Sequence, residues 1–217
     1  MNSKDYDYSF NYVIIGAESV GKTTLALNFG KKCIPTLYIK TKDVEVIDSP
    51  IYEINNRKYI FLIWVLENDF SKVIGFLKHQ ACAIFMYDIT NKNSLLFLKD
   101  NFEKFKEKLP ESVVMVLVGN KKDLKYEREV LKEEGKSFAN EHNMLFFEVS
   151  SNDLKSTDVA EIFTRSAKII ISKIDNGNYA FNGKSYGIFT KTIDNIGKDI
   201  KEKDNCCCCF RCCPFKI

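Results

Sequence analysis

The sequence predicts an α/β fold with a mostly parallel sheet, and three observations favour this class. Short, continuous apolar runs recur along the 217-residue chain, as expected of strands that are covered on both faces. Segments with helical periodicity separate these runs, which is the strand–helix alternation of an α/β domain. Apolar residues make up 45% and charged residues 28% of the chain, so it can bury a core and is not disordered, collagen-like or of low complexity.

The predicted elements follow one another between residues 12 and 175. A strand at 12–15 leads through a glycine-containing turn into a helix at 23–29, and the segments 51–54 and 59–66 form a hairpin across Asn55 and Asn56. Further strands are predicted at 83–87, 113–118 and 145–149, and further helices at 94–108, 127–142 and 156–175. From about residue 176 the pattern gives way to Asn, Gly and Lys. We therefore expect one domain at 8–175 and a flexible, hypervariable tail at 176–217.

Charge and hydropathy argue against several function classes. Lys and Arg outnumber Asp and Glu by only 32 to 29, and this small, interspersed excess argues against nucleic-acid binding. The longest apolar stretch, 59–66, is far shorter than the ~20 residues of a membrane span. The first ten residues contain no apolar segment typical of a secretory signal, so a cytosolic location is favoured.

A phosphate-binding loop is the clearest motif. Residues 16–23 fit G-x-x-x-x-G-K-[ST] between a predicted strand and a predicted helix. The two glycines let backbone amides wrap around phosphates, and the start of the helix adds a favourable dipole. Lys22 can reach the β- and γ-phosphates, and the Thr23 hydroxyl can ligate Mg²⁺. The predicted phosphate-binding residues are Gly16, Glu18, Ser19, Val20, Gly21, Lys22, Thr23 and Thr24.

A base-recognition motif follows a later strand. Residues 120–123 lie at the carboxyl end of the strand predicted at 113–118, which is where ligands bind in open α/β sheets. The Asp123 carboxylate can accept hydrogen bonds from N1–H and the exocyclic amine of guanine, whereas adenine would leave it unpaired. Residues 148–152 end the next strand and can present backbone amides to the base. The predicted guanine-binding residues are Asn120, Lys121, Asp123, Ser150, Ser151 and Asn152.

Together these motifs resemble a small GTPase of the Ras superfamily, with the greatest likeness to the Rab family, over about residues 12–172. Tyr38-Ile39-Lys40-Thr41 is similar to the first switch of the family, and Leu62-Ile63-Trp64 is similar to the strand before its second switch. The resemblance implies a P-loop small G domain with a six-stranded sheet, five helices, and GTP or GDP with Mg²⁺ as ligands. It makes Thr23 and Thr41 metal ligands; Thr41 stands at the family's usual interval, nineteen residues after Lys22.

The same resemblance implies partners and a location. A Rab-like protein is a monomer that binds effectors, exchange factors and activating factors through its switch regions. It acts at the cytoplasmic face of intracellular membranes, with a cytosolic pool.

The second switch departs from the family pattern. Where the family has Asp-x-x-Gly-Gln, this chain has Val65-Leu66-Glu67-Asn68-Asp69. In the family these positions support Mg²⁺ through water, sense the γ-phosphate and orient the attacking water, so we expect slow GTP hydrolysis. Asp69 stands at the usual glutamine position. In the phosphate loop, a carboxylate at Glu18 would repel the γ-phosphate or block an inserted arginine finger.

Cysteines are concentrated at the carboxyl end of the chain. Only two of the eight precede residue 206, whereas a disulfide scaffold would spread them through the fold. The six tail cysteines are Cys206, Cys207, Cys208, Cys209, Cys212 and Cys213. Because Pro214 occupies the cysteine position of a C-a-a-X signal, we favour S-acylation of several of these thiols, together with prenylation of Cys212 or Cys213, as a membrane anchor. A redox-sensitive or metal-scavenging tail is the alternative.

Two functions remain open at the level of sequence. The first is a Rab-like switch in vesicle and membrane trafficking with weak GTP hydrolysis. The second is a pseudo-GTPase interaction module, nucleotide-locked or empty, without turnover. An ATP-using P-loop enzyme is disfavoured because Asp123 suits guanine and no lid with substrate-binding arginines is recognisable.

Overall fold

The computed structural model describes residues 6–34, 44–66, 74–177, 179 and 186–190. Within these residues one sheet of eight strands is surrounded by four α-helices and two short 3₁₀ helices. The strands are β1 (Tyr8–Ile15), β2 (Val44–Asp48), β3 (Tyr52–Ile54), β4 (Arg57–Leu66), β5 (Cys82–Asp88), β6 (Val114–Asn120), β7 (Leu145–Glu148) and β8 (Ile188–Thr190). The α-helices are α1 (Lys22–Lys31), α2 (Lys92–Lys106), α3 (Lys132–Glu141) and α4 (Asp158–Asp175), and the 3₁₀ helices span Ile74–His79 and Lys122–Glu127.

The sheet has a parallel centre. Its main path runs β2-β4-β1-β5-β6-β7, with β3 beside β4 and β8 beside β1. Strands β4, β1, β5, β6 and β7 are parallel, whereas β2, β3 and β8 are antiparallel to their partners. The predicted, mostly parallel sheet is therefore confirmed. Its main path has six strands, one of which, β2, was not among the predicted strands, whereas the predicted strand β3 lies beside that path.

Helices cover both faces of the sheet. Alternate residues of β1 point to opposite sides, so Tyr12 and Ile14 pack with residues of α1 and α4, whereas Val13 and Ile15 pack with residues of α2 and α3. All seven residues of β5 are buried, which explains why this strand reads as a continuous apolar run.

The predicted hairpin is confirmed between β3 and β4. Its turn residues, Asn55 and Asn56, have φ angles of 53° and 60°, the left-handed pair that a two-residue hairpin of this twist requires. The helix predicted at 127–142 begins five residues later, at Lys132. The backbone N–H groups of Glu129 and Val130 both donate to the Ile89 carbonyl, at 2.8 and 3.0 Å, and this pairing holds the chain extended before α3.

Two strands were not predicted from the sequence. Strand β2 pairs with β4 and forms one edge of the main path. Strand β8 follows residue 175, the predicted end of the domain, and pairs with the start of β1, with Ile188 opposite Phe10. No helix among the described residues is long and apolar enough to cross a membrane.

Candidate functional site

The predicted phosphate loop joins β1 to α1. Ser19 and Gly21 have φ angles of 64° and 99°, so the loop turns twice through the left-handed region. A Cβ on Gly21 would collide with the side-chain amide of Asn120, and its backbone conformation is one that other residues adopt only with strain. The glycine of the motif is therefore required at this position on both conformational and steric grounds.

Lys22 is drawn into this loop. Its Nζ donates to the carbonyl oxygens of Gly16 and Ala17, at 2.9 and 2.8 Å, and the residue is only 8% exposed. Burial lowers the pKa of Lys22 to about 8, while the negative charge of Glu18 acts in the opposite direction. A phosphate beside this poorly hydrated ammonium would interact with it more strongly than with a solvated lysine.

Asn120 links the phosphate loop to the segment after β7. Its Nδ2 donates to the Val20 carbonyl at 2.8 Å and to Ser151 Oγ at 3.0 Å, and its Oδ1 accepts from the Ser151 N–H at 2.9 Å. Asn120 is 1% exposed and Ser151 3% exposed. Both were predicted to bind the base, and these hydrogen bonds show that they also hold together the loops around the predicted pocket.

Asp123 has the opposite environment. It is exposed, and its Oδ1 accepts a 2.6 Å hydrogen bond from Ser150 Oγ, which orients the carboxylate. Lys121 adopts a left-handed conformation, with φ 65°, and its Nζ pairs with Asp88 Oδ2 at 2.6 Å. Asn152, in the segment after β7, is exposed. The oriented Asp123 carboxylate is suited to accept hydrogen bonds from donors on a base edge.

Sequence reasoning missed two side chains that hold the site together. Asn28 on α1 is 1% exposed, and its Nδ2 donates to the carbonyls of Ser151 and Asp153, at 2.9 and 3.2 Å. Asp88 at the end of β5 accepts from Thr90 and pairs with Lys121. The sequence does contain one indication of the role of Asn28, because it is a polar residue within the otherwise apolar run of the first helix.

The metal side of the site is less complete. Val65 is fully buried beside Ile14 and Ile63. At this position the Ras-superfamily pattern has an aspartate that supports Mg²⁺ through a water molecule, whereas the valine side chain has no oxygen atom. Thr23 is half-buried at the start of α1, and its hydroxyl is the type of ligand that Mg²⁺ accepts. The predicted residues Thr41, Asn68 and Asp69 and the six tail cysteines lie outside the described residues. The described residues contain no group of three or more His, Cys, Asp or Glu side chains arranged to hold a metal ion.

Three features define this domain as a P-loop nucleotide-binding domain. They are a loop between strand and helix that requires glycine, a buried lysine in that loop, and an oriented carboxylate at the end of a parallel strand. The model of the Ras family matches residues 11–172, about three quarters of the chain. The chain therefore belongs to the Ras family, and its domain is the GTP-binding domain of a small GTPase switch. Members of this family bind guanine nucleotide, typically with Mg²⁺, and interact with regulators and effectors.

Proposed function

We propose that this protein is a Rab-like guanine-nucleotide switch in vesicle and membrane trafficking whose GTP hydrolysis is slow. The observation that carries the proposal is a contrast within one site. The base side is held by buried hydrogen bonds, whereas Val65 places an apolar side chain on the metal side.

Retention of the nucleotide is supported by the network around Asn120. This side chain joins loops that lie 100 and 31 residues away along the chain, and Asn28 joins α1 to the segment that contains Ser151. Buried, fully bonded amides of this kind rigidify the loops that they connect. A preorganised base pocket favours tight binding of guanine nucleotide.

Slow hydrolysis is supported by Val65 and Glu18. A valine cannot hold a metal-bound water, and Glu18 acts electrostatically on Lys22, the residue assigned to the phosphates. Loss of one preorganised polar group typically costs ~10²-fold in rate. Asn68 and Asp69 remove two further family groups, so the deficit should exceed that of a single substitution.

The burial of Val65 also favours a second candidate, a pseudo-GTPase. Such a protein would hold a nucleotide without turnover, or hold none, and would act as an interaction module. The two candidates differ in whether bound GTP is ever converted to GDP.

One experiment separates the candidates. The protein is purified, the copurifying nucleotide is identified by chromatography, and GTP loaded with Mg²⁺ is followed through a single turnover beside an ordinary small GTPase. We expect guanine nucleotide and a rate at least ~10²-fold below the reference. A rate equal to the reference would refute impaired hydrolysis, and undetectable turnover would favour the pseudo-GTPase.

Two variants locate the cause of the slow rate. Asp69→Gln alone should leave the rate unchanged because Val65 and Asn68 remain. Val65→Asp, Asn68→Gly and Asp69→Gln combined should raise it. Full recovery by Asp69→Gln alone would contradict the role given to Val65.

A further inference from the structure

The polypeptide after α4 returns to the sheet. Tyr179 together with Tyr186–Thr190 forms a segment that we call the C-terminal strap. Tyr179 is 4% exposed, its hydroxyl donates to the Ser112 carbonyl at 3.4 Å, and its ring lies 5.4 Å from that of Tyr186. Since Ser112 precedes β6, this end of the strap lies at the amino-terminal edge of the parallel strands.

The other end of the strap is wedged between β1 and the chain that enters β5. The Gly187 carbonyl accepts from the Asn11 N–H at 2.7 Å, and Ile188, 3% exposed, is paired with β1. A Cβ on Gly187 would lie 2.5 Å from the Ala81 nitrogen and 2.7 Å from the His79 carbonyl oxygen. Only glycine fits here, so the fit between strap and fold is specific.

The two strands that hold the strap also carry the nucleotide site at their opposite ends. Strand β1 continues from Tyr8 to Ile15 and then forms the phosphate loop, and a Cβ on Gly16 would collide with the Met86 carbonyl of β5. Strand β5 ends at Asp88, which pairs with Lys121 of the base motif. A shift of β1 relative to β5 would therefore change both the contacts of the strap and the geometry of the nucleotide site.

The strap is docked with incomplete hydrogen bonding. Strand β8 has three residues and is paired with β1. Next to Gly187, the side-chain oxygens Asn11 Oδ1 and Gln80 Oε1 are buried without a hydrogen-bond partner among the described residues. Unsatisfied buried acceptors oppose the docked arrangement, and they would gain hydrogen bonds to water if the strap were released.

We propose that the C-terminal strap is a latch between the tail and the nucleotide site: docking of the strap strengthens guanine-nucleotide binding, and undocking weakens it. By thermodynamic reciprocity, nucleotide binding then holds the strap in place. A partner or a membrane that pulls on the tail would loosen the nucleotide. The inference rests on the guanine-nucleotide site proposed above.

The test begins with the full-length wild-type protein. Hydrogen exchange of the peptide that contains Tyr186–Thr190 is measured with and without saturating GDP. We expect GDP to slow exchange of this peptide at least about fivefold, the lower range of measured couplings between sites. Exchange that GDP leaves unchanged would overturn the latch, and this measurement needs no variant.

Two glycine variants form a matched pair for the second measurement. Gly187 and Gly177 have nearly equal φ angles, 71° and 70°, but a Cβ on Gly177 would meet nothing within 4 Å. We expect Gly187→Ala to weaken GDP binding at least about fivefold relative to Gly177→Ala. A strap with only a structural role would lower the unfolding temperature of Gly187→Ala and leave its Kd for GDP unchanged, which would overturn the latch.

The proposed latch and the proposed guanine-nucleotide site can be refuted separately. If the wild type binds GDP and both glycine variants have the same Kd, the latch is wrong and the nucleotide site stands. If the wild type binds no guanine nucleotide, both are wrong.

Discussion

Neighbouring residues of the base motif have different tasks because their burial differs. Asn120 is buried at the end of β6, where its amide is used by Val20 and Ser151. Three residues later, Asp123 is exposed and is oriented by Ser150. A substitution at Asn120 should therefore disturb the whole site, whereas one at Asp123 should change only the base that is recognised.

The first prediction concerns the identity of the base. Asp123→Asn replaces an acceptor by a group that also donates, so the preference should shift from guanine towards xanthine nucleotides by more than tenfold. Competition of GDP, XDP and ADP for a fluorescent nucleotide measures the shift. Glu127→Gln, an exposed carboxylate at the end of the same turn, is the control and should leave the preference unchanged. Equal competition by ADP and GDP on the wild type would contradict the assignment.

The second prediction concerns pH. Burial lowers the pKa of Lys22 to about 8, and a bound phosphate would raise the pKa again. When binding raises the pKa of a group, the charged form of that group strengthens binding. This contribution is fully present at a pH below the pKa of the unliganded protein, and it is lost as the pH rises towards the pKa of the complex. Above about pH 8, GDP affinity should therefore fall, by at most about tenfold per pH unit.

Calorimetry in buffers of different ionisation enthalpy measures the proton involved. We expect GDP binding to take up a proton at pH 8.5 and much less at pH 7, where Lys22 is mostly charged with or without ligand. Binding enthalpies at pH 8.5 that do not vary with the buffer would show that Lys22 does not titrate on binding.

Among the elements, the connection between the base motif and α3 contains a partly buried ion pair. Arg128 binds Glu148 of β7 in a bidentate arrangement, with distances of 2.7 and 2.9 Å, and the Glu148 side chain is only 6% exposed. This pair ties the 3₁₀ helix Lys122–Glu127 to the strand that leads into Ser150 and Ser151. It thereby supports the base site from outside.

The third prediction tests this ion pair. Arg128→Gln would leave the Glu148 carboxylate buried without its partner, so the free energy of unfolding should fall by about 3 kcal/mol. Arg165→Gln is the matched control, because its pair with Glu161 is about half exposed and should contribute less than about 1 kcal/mol. Urea denaturation measures both. Equal losses for the two variants would mean that the burial of Glu148 has no energetic consequence.

At the scale of the whole molecule, the nucleotide site and the start of the tail lie at opposite edges of the sheet. The phosphate loop follows the carboxyl end of β1, whereas β8 pairs with its amino end. Fifteen residues lie between Thr190 and Cys206, so the cysteines follow a segment that begins far from the nucleotide. A membrane anchor on this tail is consistent with a nucleotide site that remains accessible to partners.

The fourth prediction concerns the six tail cysteines. If they carry lipid, changing all six to serine should move the protein from the membrane fraction to the soluble fraction. Fractionation of cells of the kind that naturally produce the protein measures this change. Each buried methylene contributes ~0.8 kcal/mol, and two chains suffice where one is marginal. Cys33→Ser, at an exposed cysteine of the fold, is the control and should have no effect. A serine variant that stays with membranes as fully as the wild type would rule out the lipid anchor.

The sequence by itself determined the features that depend on short-range chemistry. A glycine spacing, a lysine and a threonine predict the phosphate loop because the required backbone shape and charges lie within eight residues. Asn55 and Asn56 predict the hairpin turn for the same reason. The continuous apolar runs predict the buried parallel strands, since burial on both faces leaves no room for polar alternation.

Only the tertiary structure decided the features that join distant parts of the chain. The hydrogen bond between Asn28 and Ser151 spans 123 residues of sequence, and the one between Asn120 and Val20 spans 100. A local sequence pattern therefore cannot indicate which side-chain amides hold the loops of the site together and which face the ligand. Strand β8 has three residues and no pattern of its own. Its place is fixed by Gly187, which alone fits against the backbone at Ala81 and so brings the tail into the sheet.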